Sequence, residues 1–482
     1  MSHKNSLDTI VARAKRKGFV YPNSEIYGGL ANAWDYGPYG SLLKKNISDL
    51  WIKYFVTNRD DMVLMDTAII ANPQTWVASG HAGAFGDALI DDKATRQRFR
   101  ADKLLEDWIA KKNINTSYLA KYGVNNLIPE SRGNEKMTEV IKAEIPNNPE
   151  TKKPADWTEA RQFNLMLQTQ LGVIEDASAK AYLRPETCQS LFTNFKNLID
   201  TTRVRLPLGM AQVGKAFRNE ITPGQFLYRT REFEQMEIEY FVPNNLEESQ
   251  KYFEMWKELS MKFWQEQMQI LPENLRFREH EKDELSFYSA GTFDVEYNYP
   301  RGWGELQGIA NRTDYDLKQH QEVSGKDMQY TDPKSGARYI PYVIEPSFGL
   351  SRTVMAVMMD CYHEDIITKE DGSTDTRIVI KFPFALAPVK FAVLPLIEKN
   401  EDMVELAKKL THTLKMSGFT TECDMSWNIG KRYRRQDEIG TPFCVCIDHQ
   451  SIEDGTVTIR DRDTMEQVRV HWEEVKNHTK TI

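Results

Sequence analysis

The 482-residue chain has few of the signals that assign a protein to a class at sight. Its five cysteines, Cys188, Cys361, Cys423, Cys444 and Cys446, are scattered and odd in number, which argues against a disulfide framework. No CxxC pair occurs, so no structural zinc is expected. Cys444 and Cys446 alternate along "PFCVCID" and read as core side chains. No apolar run approaches the roughly 20 residues that span a bilayer, and "MSHKNSLDTIVARAKRKGF" lacks the apolar stretch and cleavage site of a secretory signal. A cytoplasmic protein without a membrane segment is expected. The phosphate loop GxxxxGKS/T, the GxGxxG fingerprint and HExxH are all missing, which removes the commonest nucleotide and metalloprotease motifs. Basic charge is not in excess either. A net charge of −8 excludes a surface coated in lysine and arginine but leaves room for a local patch against RNA.

Hydrophobic content of 40%, charged content of 27% and ten tryptophans describe a soluble globular chain, and its length suggests roughly two to four domains. Residues 41–56, "SLLKKNISDLWIKYFV", set Leu43, Ile47, Leu50, Trp51, Tyr54 and Phe55 at helical spacing, an apolar face for a core or an interface. "DDMVLMDTAIIANP" reads as a strand closing at Pro73, where the missing amide suits a strand end. Between residues 87 and 156 the composition turns polar, and an inserted, partly helical module is expected, with loops near Pro129 and from Pro146 to Pro154. From Trp157 onward, strand patterns separated by hairpin-like loops favour an antiparallel sheet of α+β type. Beyond "FPFALAPVK" the pattern alternates strand and helix and ends in a hairpin, a separate α/β domain of about 95 residues.

The stretch 217–241, "FRNEITPGQFLYRTREFEQMEIEYF", holds charges inside an apparent strand pair. Alternation on the second strand puts Phe233, Gln235, Glu237 and Glu239 on one face and Glu234, Met236, Ile238 and Tyr240 on the other. Ionised groups inside a sheet are costly unless paired or bound, so this sheet is a solvated edge or the floor of a polar site.

"FRNE", "REFEQMEIE" and "EPSFGLSR" match motifs 2 and 3 of the class II aminoacyl-tRNA synthetases, and Pro73 after a helix-strand unit fits motif 1. With "YGPYG", "VASGH", "LRPET", "GELQGIANRTDYDL" in order, the chain resembles the dimeric glycyl-tRNA synthetase family from near Phe19 to its C-terminal domain. The resemblance implies a class II antiparallel sheet flanked by helices. Residues 1–86 and 157–384 would form the catalytic domain in two parts, 87–156 the insertion and 385–482 an α/β anticodon-binding domain. It also implies a homodimer that uses ATP, glycine and the tRNA for glycine. By resemblance, Arg218 bridges the α-phosphate and the glycine carboxylate, Glu220 accepts from the adenine amino group and Phe233 stacks on adenine. Arg229 and Arg352 hold the outer phosphates, and Glu305 and Glu345 carry magnesium. Glu186, Glu237 and Ser347 form an acidic pit that grips the glycine ammonium and leaves no room for a Cβ. In the C-terminal domain, Lys431, Arg432, Arg434 and Arg435 form a basic patch for tRNA, beside Trp427 and Tyr433 as stacking rings.

Each residue alone has a plainer reading. Arg218 with Glu220 or Glu237 is a structural ion pair, Phe233 a core ring, Ser347 a turn or cap, Arg312 a surface or cross-strand partner, and the 431–435 run a solvated helix turn. His81 reads as a structural hydrogen-bonding residue and is given no catalytic role. The alternative for the whole chain is a non-catalytic, synthetase-like protein that binds RNA or a partner.

Overall fold

A computed structural model describes residues 7–112, 114, 122, 134–172, 180–202, 204–280, 290–368 and 372–478. The loop expected near Pro129 lies outside them. Seven strands form the main sheet: β1 (Met62–Leu64), β2 (Leu208–Phe217), β3 (Glu232–Val242), β4 (Leu275–Glu279), β5 (Gly291–Tyr299), β6 (Gly302–Thr313) and β7 (Tyr342–Gly349). They run in the order β4-β5-β6-β7-β3-β2-β1. Neighbours are antiparallel except β1, which lies parallel to β2 at the edge. Helices α1 (Pro38–Ile52), α2 (Cys188–Thr201), α3 (Leu246–Lys262), α4 (Tyr315–Ser324) and α5 (Leu350–Asp360) cover its two faces.

The period-2 pattern of the strands decides which face receives which helices. Met236, Ile238 and Tyr240 of β3 and Phe348 of β7 are buried in one cluster with Leu43, Ile47 and Trp51 of α1 and Trp256 of α3. Phe348 is the hub: Trp51, Phe55, Phe263 and Trp264 stand 5.8, 5.3, 5.9 and 5.7 Å from it, ring centre to ring centre. Each fully buried ring of this size contributes about 1.5–3 kcal/mol. The apolar face of α1 is thus consumed by the monomer's own core. The start of α1 is fixed by close approach: a Cβ on Gly40 would stand 1.9 Å from the Phe19 carbonyl oxygen, so this turn excludes every other residue.

The opposite face carries Gln235, Glu237 and Glu239 of β3 and Glu345 and Ser347 of β7. Its far end is closed by α2 and α4, whose Leu191, Phe192, Phe195 and Leu317 pack on Met210 and Phe241. Its near end stays open, and there the charges of the 217–241 stretch gather.

Two local expectations change. Pro73 does not end a strand: only Met62–Leu64 forms a strand, with an isolated bridge from Ile70 to Leu183, and Pro73 is the first residue of a helix, Pro73–Ala78, whose N-cap Asn72 accepts from the Gln74 amide. A proline suits that position because a first-turn amide lacks a partner in any case. The polar module is also less loop-like than its composition suggests. Strands Gly86–Asp92, Gln97–Arg100 and Arg161–Asn164 form a sheet. Helices Ala101–Lys112 and Asn134–Glu144 pack on it around Ile90, Leu105, Ile141 and Trp157.

The C-terminal unit places β8 (Phe391–Pro395), β9 (Thr421–Cys423), β10 (Phe443–Ile447), β11 (Thr456–Asp461) and β12 (Gln467–His471) in the order β9-β8-β10-β11-β12. The first three are parallel and the last two close an antiparallel hairpin. Helices α6 (Glu401–Met416) and α7 (Ile429–Ile439) begin at Asn400 and Asn428, each accepting a backbone amide from the first turn at 3.0 Å. Cys444 and Cys446 are buried on β10.

Candidate active site

The loop between β2 and β3 has 14 residues (218–231) and must be tied down to hold a site. Phe226 and Leu227 are buried in it, Phe226 edge-on to Trp34 at 5.1 Å. Asn32 Nδ2 donates to the carbonyls of Phe226 and Arg229, each at 2.8 Å. Gln225 and Phe226 hold φ of 59° and 58°, a left-handed conformation that side chains rarely adopt and that strained functional loops retain.

This anchoring brings Arg218, Glu220, Arg229, Phe233, Glu305, Ser347 and Arg352 to the wall of one cavity. Arg218 follows the end of β2; its Nε donates to the Pro185 carbonyl at 3.1 Å. Its guanidinium stands 5.3 Å from the Phe85 ring and 5.4 Å from Phe233. One face of Phe233 is thereby occupied by a cation. Arg229 Nε lies 3.9 Å from Glu220. Arg352, in the first turn of α5, donates to the carbonyls of Tyr228 and Glu305 at 3.2 and 3.1 Å and pairs with the Glu305 carboxylate at 3.0 Å. The Arg352 charge holds the half-exposed Glu305 carboxyl below its usual range. Three guanidiniums in a single cavity make a receptor for a polyanion.

Behind Ser347 lies the acidic floor. Ser347 faces Glu237 across the β3–β7 ladder, and its hydroxyl donates to Glu237 Oε1 at 2.7 Å. Thr187 donates to the other oxygen of Glu237. Its neighbour Glu186 accepts from Cys188 Sγ at 2.9 Å and Gln189 Nε2 at 3.2 Å, and lies 3.3 Å from His81 Nε2. Burial would raise the Glu186 carboxyl, but His81, Arg312 and the Cys188 thiol hold it well below its usual range. Glu237 goes the other way: burial and then the charge of Glu186 raise it, against the hydroxyls of Thr187 and Ser347. Glu239, two residues on, is fully buried, and neither carboxylate oxygen has a hydrogen-bond partner among the described residues. Burial, then the charges of Glu345 and Glu237, push it well above the usual range.

The cation that makes this floor tolerable is Arg312, which the sequence reads as a surface or cross-strand partner; it is not at the surface, and its cross-strand partner is Glu345. It is buried; Nε and Nη2 grip both oxygens of Asp316 at 2.7 and 2.8 Å, and Nη1 donates to Glu345 at 2.6 Å. The available signal was chemical: an arginine in "GIANRTDYDL" four residues before an aspartate, on a strand leading into a helix, needs a partner. The same contact corrects the role given to Glu345. Its carboxylate is bound to Arg312, and its backbone pairs with Ala310, five residues along β6 from Glu305 and about 17 Å of strand away. It does not fit a magnesium ligand beside the phosphates. Glu305 does, as a half-exposed carboxylate on the cavity wall. Asp294 lies nearer than Glu345: its Oδ1 and Glu305 Oε1 flank Gly308, 3.8 and 4.0 Å from where a Cβ would stand, while its other oxygen is held by His280 at 2.8 Å.

Glu345 yields a pH prediction. Burial, with the charges of Glu237 and Glu186 and against Arg312, pushes its carboxyl up to about 8 from 4.5. The folded protein then keeps a proton that the unfolded chain releases from about 4.5 upward. The associated stability is whole below that value and is lost as pH rises toward 8. The melting temperature should therefore fall between pH 5 and 8, and less steeply in Glu345→Gln; equal slopes by calorimetry would remove Glu345 from this role.

Comparison with known proteins decides the family. Residues 172–361 match the tRNA synthetase class II core domain (G, H, P, S and T), and residues 390–481 match the anticodon binding domain. The chain is 50% identical to the glycine–tRNA ligase of Caldanaerobacter subterraneus subsp. tengcongensis, covering 99% of this chain and 98% of that protein. It is 48% identical to the glycine–tRNA ligase of Staphylococcus epidermidis, over 98% and 97% of the two chains. With that of Clostridium acetobutylicum it shares 48% over 99% of each. The chain belongs to the glycine–tRNA ligase family.

In this member of the family the anticodon-binding match contains the basic cluster of α7, and the structure withdraws Arg432 from it and pairs Arg434 and Arg435 with surface acids. Arg432 is buried, donating to the carbonyls of Trp427 at 2.8 Å and of Pro395. A guanidinium spent on two backbone acceptors under the surface cannot meet a phosphate. Arg434 pairs with Asp375 at 2.8 Å, and Arg435 forks onto Asp424 with its shortest contact at 2.6 Å. Tyr433 is turned inward beneath Arg460, 5.0 Å from its ring. Lys431 remains exposed, its ammonium 4.5 Å from the ring of Trp427, which is 67% exposed.

Proposed function

We propose that the cavity walled by Arg218, Arg229 and Arg352 is the adenylation site of this glycine–tRNA ligase, the convergence of three guanidiniums above the Ser347–Glu237 floor being the observation that carries the assignment. A glycine carboxylate oxygen attacks the α-phosphorus of ATP, pyrophosphate leaves, and the glycyl group then passes from AMP to a hydroxyl of the terminal tRNA ribose. No protein nucleophile is needed. Positioning and stabilisation of the charge developing on phosphate supply the rate. Arg218, steadied between two rings, serves the α-phosphate and the glycine carboxylate together. Arg229 and Arg352 receive the outer phosphates, with the Glu305 pair opening as Arg352 turns to them. Glu220 takes the adenine amino group, and Phe233 offers the ring its free face. When bound, magnesium neutralises the phosphate oxygens, and Glu305, with Asp294 behind it, is the side chain fitted to hold it.

Glu186 and Glu237 hold the ammonium, and Ser347, on the floor between them and the cavity, occupies the space a Cβ would need. Exclusion by packed polar groups rejects alanine or serine more sharply than an apolar pocket rejects a missing methylene, worth about 1–3 kcal/mol. The test is ATP–pyrophosphate exchange with glycine, alanine and serine offered separately and no tRNA. Exchange with glycine alone is expected; exchange with alanine would overturn the pit, and none from a folded protein would favour the non-catalytic alternative.

For tRNA, the contact best placed is Trp427 with Lys431, an exposed ring beside an exposed ammonium that suits an unpaired base and its phosphate. Replacing both by alanine should lower charging about tenfold or more, since stacking is worth about 1–3 kcal/mol per base, and leave exchange intact. Loss of both activities together would sink this assignment. The homodimer implied by the family would use surfaces other than the apolar face of α1; edge strand β1, with Leu64 half-exposed, is a better candidate. Among the described residues no helix is long and apolar enough to cross a membrane, and we place the enzyme in the cytoplasm, where charged tRNA is consumed.

A further inference from the structure

We infer that the floor of the pit is also a binding site for a thiophilic divalent cation of the zinc class, held by Cys188 Sγ and carboxylate oxygens of Glu237 and Glu239, and that this ion inhibits the enzyme by displacing glycine. The three donor atoms lie within 4.8 Å of one another. All three residues are buried, to 1%, 2% and 0% exposure. The independent observation is Glu239, whose two oxygens have no hydrogen-bond partner among the described residues and which lies within that triangle of donors. A buried carboxyl left unpartnered is expensive, and a cation at this point would satisfy it.

The donor set selects the ion. One sulfur and two carboxylate oxygens suit zinc or cobalt; magnesium and calcium avoid thiols. Tetrahedral zinc needs its ligand atoms roughly 3.5 Å apart, so the side chains close inward by rotation without moving the strands. On binding, the Cys188 proton now directed at Glu186 leaves to solvent as the metal–sulfur bond forms. Access follows the substrate's own path, because Ser347 both lines the cavity and bonds Glu237. The ion would be a transient inhibitor and not a part of the fold. The competition rests on the assignment of Glu237 to the glycine ammonium; the binding itself does not.

Cobalt titrated into the full chain, purified without a histidine tag, reports sulfur ligation by a near-ultraviolet charge-transfer band. One equivalent should saturate that band, Cys188→Ala should abolish it, and Glu239→Gln, isosteric and uncharged, should weaken cobalt at least tenfold with an unchanged melting curve. Cys188→Ser serves if the alanine variant is unstable. No band, or a band surviving in the folded Cys188 variant, would overturn the site. Zinc should inhibit ATP–pyrophosphate exchange, and excess glycine should relieve it. A Cys188-dependent band with inhibition indifferent to glycine would keep the ion and overturn the competition, and with it the placement of the ammonium at Glu237.

Discussion

Arg218→Ala is expected to lower ATP–pyrophosphate exchange by at least about 10²–10³-fold, the cost of removing one preorganised donor to developing charge. The loss should be at the upper end because, in the proposed site, one guanidinium would serve both reactants. Arg218→Lys should recover little, since an ammonium lacks the planar fork that reaches two acceptors at once. The fold should barely notice. Among the described residues the Arg218 side chain makes one hydrogen bond, to the Pro185 carbonyl, and it lies at a cavity wall rather than in the core. A melting temperature within about 2 °C of the parent is therefore expected, because substitutions away from buried networks stay near ±0.5 kcal/mol. Exchange retained within tenfold of the parent would remove Arg218 from the reaction.

Arg312→Leu should produce the largest loss of stability. The arginine is 4% exposed and binds Asp316, itself 2% exposed, through two hydrogen bonds, and Glu345 through a third. Removing one partner of a buried pair leaves the opposite charge uncompensated, at about 3–5 kcal/mol; Asp316 would keep only the Gln189 amide, at 2.9 Å, among the partners described. Here it strands charge beside Glu186, Glu237 and Glu239. The sign of the pH dependence separates this account from simple cavity formation. Without Arg312 the carboxyls of the floor rise further in the folded state, so stability is kept at low pH, where they are protonated, and lost as pH increases. Urea midpoints should show a smaller deficit at pH 5 than at pH 8. A deficit below about 1 kcal/mol at pH 8, or one independent of pH, would show that the floor does not depend on this cation. The affinity for glycine should fall in parallel, because a protonated Glu237 grips an ammonium poorly.

These two arginines also mark the limit of reading by sequence. Arg218 was legible because its neighbours in the chain, from "FRNE" to "REFEQMEIE", carry the pattern of a known chemistry, and the structure sets them around one cavity. Arg312 was legible only in part: Asp316 follows it by four residues, but Glu345 becomes its partner only when β6 lies beside β7. Asp294, which we propose behind Glu305, comes near it only when β5 lies beside β6. The converse error came at Arg432. Composition counted it in a basic patch, but the carbonyl of Pro395, 37 residues earlier, draws it beneath the surface.

By itself the sequence determined what depends on neighbours along the chain. It specified the strand alternation that turns Met236 to the core and Glu237 to the site, the helical face of α1, the turn from one strand to the next, and the order of motifs that identifies the family. The tertiary structure alone decided which charges are free and which are spent. Glu345 belongs to Arg312 and not to a metal, and in the basic cluster Arg432 is drawn beneath the surface while Lys431 stays exposed beside Trp427. The reason is physical. Whether a charged group is available depends on burial and on partners brought from distant segments, and the free energy of each pairing is set by that environment rather than by the residue's own type.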